Sequence, residues 1–470
     1  PCKLQRPSST KFFVFSSVYL TGSGSKRCMF LIMALVLLSL FVTGIANLLQ
    51  HADETLDAMS VKAYQDFADG NAGAMGSVYD RSGSVLWSPE QPAQRAFYSL
   101  LGAPYQMIQN SVIFQYQTDL LGKEAYSAWQ GAKSLNGSGS DLFLTLDSNA
   151  QKTVSNLLEA NGVSGLVAAC NASTGALRCL VSTPAAGPDE VVDTLPDGAL
   201  LNKTLDTITP GSTMKLVTTA LLVEQAEENI FTYRYNCHGS DTLAADGKAI
   251  ICSTKQTEQD ITSALGYSCN TFFANAIQTY LSPEETAKTL QRYGFMKEGK
   301  YSNLGKLNYE TSSILFQDMT FASVWSLIGQ VSEVSPLDML RFTSAVVHSG
   351  DAPTLYLVDR QSNRTHNKLL GQFEPEHQNI MAKETADTVK EIWFNSYDTY
   401  YDKSSYPDSV TAAKTGTAEQ GTCENKKIDK LLLGYSQEKD LVFFIALKNW
   451  NIELITPQTV SQVLLEQLAE

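Results

Sequence analysis

Residues Thr209–Lys215 have the sequence Thr-Pro-Gly-Ser-Thr-Met-Lys and lead into the apolar run Leu216–Glu224. Pro-Gly forces a turn, and the residues that follow are apolar nearly all round, which predicts a buried helix. Ser212 would lie at the start of this helix, where backbone N–H groups and the helix dipole favour developing negative charge. This placement makes Ser212 a candidate nucleophile.

Lys215 follows Ser212 by one helical turn, so its amine lies on the same face as the hydroxyl. A lysine that burial removes from water loses its proton more easily and can then accept one from serine. The pattern Ser-x-x-Lys alone is weak evidence, since it also occurs at Ser8–Lys11, Ser23–Lys26 and Ser436–Lys439. The Pro-Gly turn and the buried helix distinguish Ser212 from these sites.

Two further short motifs follow along the chain. Ser268–Asn270 has the sequence Ser-Cys-Asn, and Lys414–Thr417 has the sequence Lys-Thr-Gly-Thr. The second lies in Val410–Ala418, which we predict to be a strand whose glycine lets a substrate backbone approach closely. Each motif alone is more typical of ordinary structure than of a site, and another Ser-x-Asn occurs at Ser134–Asn136.

The N-terminal fifty residues predict a membrane anchor. Residues 28–50 carry no charged side chain, and Cys28–Leu49 would span about 33 Å as a helix, enough for the hydrocarbon core. The basic pair Lys26–Arg27 precedes this run, so residues 1–27 should stay in the cytoplasm and the rest should be exported. A cleaved signal peptide is the alternative, since Gly44–Ala46 resembles a small-x-small cleavage site.

The chain beyond the anchor divides into two predicted domains. The first, residues 51–140, opens with a predicted helix over Ala52–Ala68, has a hairpin pattern at Gly76–Leu86 and ends in the Gly/Ser-rich linker Leu135–Ser140. We call this domain the pedestal. The second, residues 141–470, has strands first, helices in the middle, and strands and a helix last. That order predicts an α+β fold with an antiparallel sheet closed by the two ends of the domain.

Alternating apolar patterns, caps and turn residues locate the elements that mark this order. They are the strand Asp141–Leu146, a helix from Asp147 to about Asn161, the hairpin of the apolar runs Val163–Ala169 and Ala176–Ser182, the helix start Ser335–Asp338, the strands Leu431–Tyr435 and Leu441–Leu447, which are unbroken apolar runs rather than alternating ones, and a helix from about Pro457.

The charge of the chain excludes one large class of partners. The net charge is −14, yet residues 1–52 carry five basic side chains and no acid, so the remainder has 30 basic against 49 acidic residues. A surface this acidic repels phosphate backbones, and we therefore expect no nucleic-acid binding.

The cysteines beyond the predicted anchor permit disulfides, because the compartment would be oxidising. Cys237 and Cys252 are the best candidates for a pair, since they bracket a short turn region, and two separate buried thiols are the alternative. The chain has no Cys-x-x-Cys, and its histidines are scattered, so we expect no metal site. The six cysteines are Cys170, Cys179, Cys237, Cys252, Cys269 and Cys423.

The three motifs, in this order, resemble the signature set of the penicillin-binding proteins and serine β-lactamases. The resemblance covers nearly the whole predicted exported part, and the single anchor with a short pedestal is similar to the class B, transpeptidase-only members. Two positions depart from the family pattern: Met75 stands where the pedestal motif usually has Arg, and Leu431–Leu433 lacks a common aromatic residue. Other family-like stretches are Leu144–Asp147, Ser173–Gly175, Ile328–Gln330 with Ser335-Pro336, and Lys414–Glu419.

The resemblance implies a serine-type D,D-transpeptidase that cross-links peptidoglycan stem peptides ending in D-Ala-D-Ala through an acyl-enzyme, and that β-lactams acylate. Ser212 would attack the carbonyl of the penultimate D-Ala, and Lys215 would remove the serine proton. Ser268 would pass a proton to the leaving nitrogen. Asn270 would hold both the substrate amide and Lys215.

The resemblance also assigns the substrate-binding strand. Lys414 would add positive charge, Thr415 and Thr417 would bind the terminal carboxylate, and Gly416 would admit the substrate as an added strand. The N–H groups of Ser212 and Thr417 would form the oxyanion hole. The family implies no metal or organic cofactor, and suggests a glycan polymerase of the SEDS class as membrane partner.

Rival functions differ in what else they require. A class A β-lactamase needs a Glu-x-x-x-Asn element soon after Ser-x-Asn, whereas the match here, Glu391–Asn395, lies far from Asn270 and close to Lys414 in the sequence. A β-lactam sensor usually has several membrane segments, and a non-enzymatic scaffold would be expected to lose a catalytic residue. A D,D-carboxypeptidase, which gives the acyl group to water, stays open.

Overall fold

The computed structural model describes residues 33–44, 75–102, 108–120, 139–242, 246–252, 257–420, 427–449 and 455–468. The chain forms two compact units, Pro1–Lys62 and Ala63–Glu470. Of the first unit, only helix α1 (residues 33–44) is described, and its side chains are exposed. The rest of the predicted anchor and the predicted helix Ala52–Ala68 lie outside the described residues. None of the helices in the described part of the chain combines the length and apolar character that a membrane crossing requires.

Most of the second unit's helices lie in the middle of the chain, as the sequence predicts. They are α2 (Arg95–Leu101), α3 (Val112–Gln115), α4 (Gln117–Leu120), α5 (Ser148–Ala160), α6 (Lys215–Ala226), α7 (Asn229–Thr232), α8 (Ile261–Gly266), α9 (Asn270–Tyr280), α10 (Pro283–Tyr293), α11 (Phe321–Ile328), α12 (Pro336–Val347), α13 (Lys383–Tyr400) and α14 (Pro457–Gln467).

The strands gather at both ends of the unit, with short hairpins between the helices. They are β1 (Val78–Tyr79), β2 (Val85–Trp87), β3 (Ser140–Leu144), β4 (Ser164–Asn171), β5 (Leu177–Thr183), β6 (Tyr235–Asn236), β7 (Ser240–Thr242), β8 (Ala249–Ile251), β9 (Glu258–Gln259), β10 (Tyr301–Leu304), β11 (Leu307–Glu310), β12 (Asp351–Pro353), β13 (Val358–Asn363), β14 (Leu369–Gln372), β15 (His377–Asn379), β16 (Ala412–Gln420), β17 (Lys427–Ser436) and β18 (Leu441–Lys448).

The main sheet has the order β16-β17-β18-β4-β5, and every neighbouring pair is antiparallel. Strand β18, near the C-terminal end, pairs with β4, near the start of the second predicted domain, with Leu441 opposite Asn171. The two ends of the domain therefore close one sheet, and the predicted α+β architecture is confirmed. Strand β16 lies at an edge of this sheet, with one side of its backbone facing away from β17.

The main sheet is buried between helices. Seven of the eight residues of β18 are buried, so both of its faces are covered. Helices α5 and α14 pack together and contact β5 and β18, while α12 contacts β18 and β4 and α13 contacts β16. Because both faces of β18 are buried, its sequence is an unbroken hydrophobic run rather than an alternating pattern.

A second sheet, of order β14-β13-β3-β1-β2, contains the described part of the pedestal. The predicted hairpin at Gly76–Leu86 is confirmed: β1 and β2 are antiparallel, and Asp80 Oδ1 accepts hydrogen bonds from the backbone N–H groups of Ser82 (2.9 Å) and Ser84 (2.8 Å) in the turn. Strand β3 lies at the predicted boundary near residue 140, and it pairs with β1 on one side and β13 on the other. Residues from both predicted domains thus share this sheet.

Both predicted helix starts are confirmed, and the one at Asp147 has the expected side-chain cap. The Asp147 carboxylate accepts hydrogen bonds from the N–H groups of Asn149 (3.1 Å) and Ala150 (3.2 Å). Asp147 therefore caps α5, which begins at Ser148. Helix α12 begins at Pro336 directly after Ser335, with Asp338 in its first turn, although the Ser335 side chain makes no cap hydrogen bond.

Candidate active site

Ser212 lies on a 3₁₀ turn, Gly211–Met214, that continues directly into α6. Helix α6 is almost entirely buried, as the sequence predicts, and Ser212 is half-buried at its N-terminal end. Gly211 has φ of 53°, and a Cβ there would lie 2.8 Å from the Thr417 carbonyl oxygen. Glycine is therefore required for the turn and for its close approach to β16, which brings Ser212 beside the Lys-Thr-Gly motif.

Lys215 is the hub of the site. Its side chain is fully buried, and its Nζ lies 2.8 Å from Ser212 Oγ, the contact that the same-face argument predicts. Nζ also lies 2.6 Å from Asn270 Oδ1 and 3.1 Å from Ser268 Oγ, and 2.9 Å from the Ser268 carbonyl oxygen. The first two motifs, separate in sequence, therefore meet at one nitrogen.

Burial favours the neutral form of Lys215. Removal of the side chain from water lowers the pKa of Lys215 well below its ordinary value, and the charge of Lys414 lowers this pKa further. A neutral amine 2.8 Å from a serine hydroxyl can take the hydroxyl proton as the oxygen attacks. The pair thus has the geometry and the proton affinity of a nucleophile with its base.

The Ser-Cys-Asn motif joins α8 to α9. Ser268 adopts φ of 57°, a left-handed conformation, and so turns its hydroxyl and its carbonyl to the same nitrogen of Lys215. The Asn270 amide points the other way with its Nδ2, which donates to the carbonyl of Ile251 in β8 (2.8 Å). Asn270 is thereby fixed between Lys215 and a neighbouring hairpin.

Lys414 is fully buried on the edge strand β16, behind the surface that faces the site. Its Nζ donates to the carbonyl oxygen of Thr415 (2.8 Å) and to the hydroxyl of Tyr401 (3.5 Å). Burial lowers the pKa of Lys414 to about 7. The Tyr401 hydroxyl also accepts from the Thr415 N–H (3.2 Å), so Tyr401 orients this part of the strand.

Gly416 lies where β16 passes closest to the Ser212 turn. A Cβ at Gly416 would meet the Pro210 carbonyl oxygen and Thr213 Cγ2 at 3.1 Å each. A side chain would push the strand away from the turn, which gives the glycine of Lys-Thr-Gly a packing reason. Thr415 and Thr417, on either side of it, are half-buried and face the open side of the site.

An open cavity of about 680 Å³ connects the three motifs. Six of the eight residues predicted for the site line it, and the two lysines Lys215 and Lys414 lie buried behind its wall. The described residues that line it are Ser212, Ala249, Ile251, Ser268, Asn270, Phe321, Trp325, Gln330, Thr415, Gly416, Thr417, Glu419 and Lys430. The structure therefore brings together all of the predicted catalytic and substrate-binding residues.

Two polar residues of the cavity wall that contact Thr417 were not assigned a role from the sequence. Lys430 on β17 lies directly across from Thr417, and its Nζ donates to Thr417 Oγ1 (3.2 Å). The Gln330 side chain donates to the carbonyl oxygen of Thr417 (3.0 Å) from the outer side of the strand. Lys430 could have been identified only from the pairing register of β17 on β16, which places it opposite Thr417. Gln330 belongs to a stretch already noted as family-like.

Helix α11 supplies an aromatic wall. The rings of Phe321 and Trp325, one helical turn apart, stack with centroids 5.3 Å apart and both line the cavity. Such a wall can pack against the apolar parts of a ligand. Nothing in the sequence analysis singled out this pair.

The predicted cysteine pair is not formed. Cys237 and Cys252 are both thiols, which agrees with the alternative, but they are not separate, because the Sγ atoms of Cys237, Cys252 and Cys269 all lie within 4.8 Å of one another. Cys269 is the middle residue of Ser-Cys-Asn. The cluster therefore lies against the site.

Comparisons with known proteins agree with this geometry. A family model described as the penicillin binding protein transpeptidase domain matches residues 165–461. The chain thus belongs to the penicillin-binding protein transpeptidase family, as its motifs predict. No curated protein matches the chain at a significant level.

Solved structures share the fold at low sequence identity. Penicillin-binding protein A from Mycobacterium tuberculosis, solved as an imipenem acyl-enzyme complex, is 16% identical with a TM-score of 0.71, over 85% of this chain and 99% of that one. The D,D-transpeptidase domain of a peptidoglycan glycosyltransferase from Eggerthella lenta is 18% identical with a TM-score of 0.69, over 84% and 98%. Penicillin binding protein 3 from M. tuberculosis, complexed with aztreonam, is 17% identical with a TM-score of 0.67, over 83% and 95%.

Proposed function

We propose that this chain is a class B penicillin-binding protein, a D,D-transpeptidase that cross-links peptidoglycan stem peptides ending in D-Ala-D-Ala. One observation carries the proposal: the buried amine of Lys215 contacts Ser212 Oγ, Ser268 Oγ and Asn270 Oδ1 at 2.8, 3.1 and 2.6 Å. That arrangement can move a proton from an attacking serine to a leaving amine without any other group.

The first half of the reaction forms the acyl-enzyme. Ser212 Oγ attacks the carbonyl carbon of the penultimate D-Ala while its proton passes to the neutral amine of Lys215. The oxyanion is stabilised by the backbone N–H groups of Ser212 and Thr417, a contribution of roughly 3 kcal/mol for each donor. The close approach of Gly211 to Thr417 supports this pairing of donors.

The leaving group then takes the proton. Lys215, now charged, donates to the Ser268 hydroxyl, and Ser268 donates its own proton to the nitrogen of the terminal D-Ala as the peptide bond breaks. The acyl group stays on Ser212. In the second half an amine from a neighbouring stem peptide attacks this ester, and the same proton path runs in reverse.

The terminal carboxylate of the substrate would bind at Thr415 and Thr417. Their hydroxyls line the cavity, and Lys430, at 3.2 Å from Thr417 Oγ1, adds a positive charge that the sequence analysis did not anticipate. Tyr401 and Gln330 hold the outward-facing backbone groups of Thr415 and Thr417, so the strand is fixed before substrate arrives. Preorganised charge and donors favour an anionic peptide end.

The proposed location is the outer face of a cell membrane, with a single N-terminal anchor. The exposed apolar side chains of α1 and the basic pair Lys26–Arg27 support an anchor over residues 28–50. The peptidoglycan cross-links lie outside the cytoplasm. A SEDS-class glycan polymerase is the proposed membrane partner, and the peptidoglycan glycosyltransferase from E. lenta, whose transpeptidase domain has this fold, is consistent with such coupling.

A serine β-lactamase is the second candidate function to test. Glu391 is exposed on α13 and does not line the cavity, so the class A deacylating element is not assembled there. Glu419 is the one carboxylate among the described residues that line the cavity. Rapid penicillin turnover that Glu419→Gln abolishes would favour hydrolysis over transpeptidation.

The full-length protein in detergent, given a stem-peptide donor and a labelled acceptor amine, tests the proposal. We expect release of D-Ala together with a cross-linked product, both absent in Ser212→Ala. Release of D-Ala without cross-linked product would identify a carboxypeptidase instead.

A further inference from the structure

Three cysteines from separate parts of the chain converge beside the Ser-Cys-Asn motif. Cys237 follows β6, Cys252 follows β8, and Cys269 caps the N-terminus of α9. Cys237 and Cys269 are buried and Cys252 is half-buried, and all three Sγ atoms lie within 4.8 Å of one another. Three of the five described cysteines are thus gathered in one place.

A fourth polar atom, the hydroxyl oxygen of Thr271, contacts all three sulfurs. The Thr271 hydroxyl oxygen lies 3.3 Å from Cys237 Sγ, 3.4 Å from Cys252 Sγ and 3.5 Å from Cys269 Sγ. The sulfurs of Cys252 and Cys269 are 3.7 Å apart. Three sulfurs and one oxygen therefore lie close enough together to contact a single ion.

The separation of 3.7 Å between the Cys252 and Cys269 sulfurs matches a zinc site better than a disulfide. Tetrahedral zinc binds thiolate sulfur at about 2.3 Å, which places two sulfurs of one site about 3.8 Å apart. A disulfide would bring two sulfurs to about 2.05 Å and leave the third outside the bond. Zinc favours thiolate ligands and tetrahedral geometry, whereas hard cations prefer a shell of oxygens.

We propose that Cys237, Cys252 and Cys269 bind one Zn²⁺ ion, with an oxygen ligand on the Thr271 side. Each thiol gives up its proton to the solvent as the ion binds, so that three thiolates face one divalent cation. This assignment replaces the expectation, made from motif spacing, that the chain has no metal site. The ligands come from three segments, so no short spacing in the sequence announces them.

The ion would position the Ser-Cys-Asn motif. Cys269 lies between Ser268 and Asn270, and Cys252 directly follows Ile251, whose carbonyl accepts from Asn270 Nδ2 at 2.8 Å. A zinc ion bound to Cys252 and Cys269 would hold in place both the segment that contains Asn270 and the Ile251 carbonyl that Asn270 contacts. The oxygens around Lys215 would then be fixed as well. This positioning role rests on the proposed function, whereas the binding of zinc does not.

Metal analysis of the full-length protein tests the site. After purification in detergent and loading with Zn²⁺, we expect about one zinc per chain, and close to none in Cys237→Ala, Cys252→Ala or Cys269→Ala. Loading with Co²⁺ should give the strong thiolate-to-cobalt charge-transfer absorption of a multi-cysteine tetrahedral site. Cys170→Ala and Cys179→Ala, which remove buried thiols of the main sheet, are the matched controls and should retain both signals.

Two results would overturn the zinc site. One is metal content that the three variants leave unchanged while they stay folded by circular dichroism. The other is wild-type protein without cobalt charge-transfer absorption, or with a mass two hydrogens lower that maps to a disulfide within the cluster.

A second measurement separates the role from the site. Chelation of zinc from wild type should slow acylation by a fluorescent penicillin at least tenfold, and added Zn²⁺ should restore it. Unchanged acylation after confirmed zinc removal would overturn the positioning role. Absence of acylation both with and without bound zinc would contradict the proposed function and leave the metal site standing.

Discussion

The two buried lysines of the site, Lys215 and Lys414, show how different surroundings give one side chain two uses. Both are fully buried. The amine of Lys215 meets the hydroxyls of Ser212 and Ser268 and the amide oxygen of Asn270. Hydroxyls both donate and accept protons, so they surround Lys215 with a path along which a proton can travel.

Among the described residues Lys414 contacts one hydroxyl, that of Tyr401 at 3.5 Å, whereas Lys215 contacts two at 2.8 and 3.1 Å. The Lys414 amine donates to the carbonyl oxygen of Thr415 and more weakly to the hydroxyl of Tyr401. A carbonyl accepts only, so it favours an amine that keeps its protons. The charge of Lys414 also contributes to the lowered pKa of Lys215. From these surroundings we expect Lys215 to transfer protons and Lys414 to supply charge.

Of the substitutions that distinguish the two lysines, Lys215→Arg should reduce the acylation rate the most. Guanidinium keeps the charge but cannot accept a proton from Ser212. We expect the rate of acylation by penicillin to fall by about a thousandfold, within the range typical of a lost general base. Stopped-flow or gel-based labelling with a fluorescent penicillin measures it. Lys215→Arg at near wild-type rate would refute the base assignment.

Arginine at position 414 should have a smaller effect on the same rate. Both lysines are fully buried, so the longer arginine meets comparable crowding at each position, and Lys414→Arg is the matched control for Lys215→Arg. Because the charge is retained, we expect a loss of about tenfold. Equal losses in the two variants would contradict the division of roles.

The pH dependence of acylation should distinguish the two lysines in wild type. Acylation requires neutral Lys215, so its rate rises with pH through a pKa that burial and Lys414 hold well below the ordinary lysine value. Above a pH of about 7 Lys414 loses its proton, and the rate should fall as the charge disappears. Lys414→Arg should abolish the falling limb and keep the rising one. A falling limb that persists in this variant would assign it to another group.

A phenylalanine at position 401 should have a still smaller effect. The Tyr401 hydroxyl accepts from the Thr415 N–H at 3.2 Å, and its loss leaves that donor without this partner. We expect a cost of about 1 kcal/mol and a few-fold loss of acylation. Tyr406→Phe is the control, because its hydroxyl bonds Gln458 instead, while its ring packs against Tyr401. Equal effects of the two variants would show that Tyr401 acts through packing.

Removal of the Lys414 charge should raise stability rather than lower it. Burial depresses the pKa of Lys414 from 10.5 to about 7, so the folded state binds fewer protons than the unfolded state between these values. Wild-type stability therefore rises with pH in this window, by up to about 1.4 kcal/mol per unit. Lys414→Met should be more stable than wild type at pH 7, with an advantage that shrinks towards pH 10.5. Thermal unfolding against pH measures this, and an advantage independent of pH would contradict it.

The parts of the fold that the sequence predicts are local. The Ser212–Lys215 pair lies within one helical turn, the Asp147 cap within three residues and the hairpin turn after Asp80 within four, so short-range geometry determines each of them. The last strands and helix near Pro457 were predicted for the same reason, since unbroken apolar runs and a capped Pro mark them.

The parts that sequence reasoning missed depend on contacts between distant segments. Lys430 reaches Thr417 only because β17 pairs with β16 in one register, and a shift by one residue would turn it to the other face. Tyr401 enters the site from the end of α13. The cysteine cluster joins three segments whose separations resemble no metal motif, so the position of Cys269 beside Cys237 and Cys252 could not be predicted from the sequence.

Covalent labelling is the most direct test of Ser212 as the nucleophile. Folded wild-type protein is incubated with penicillin G, digested, and mapped by mass spectrometry. We expect one adduct, on the peptide that contains Ser212, and no adduct in Ser212→Ala. The melting temperature of this variant should match that of wild type, because only a half-buried hydroxyl is lost. An adduct on Ser268 or any other serine, or no adduct on folded protein, would contradict the account.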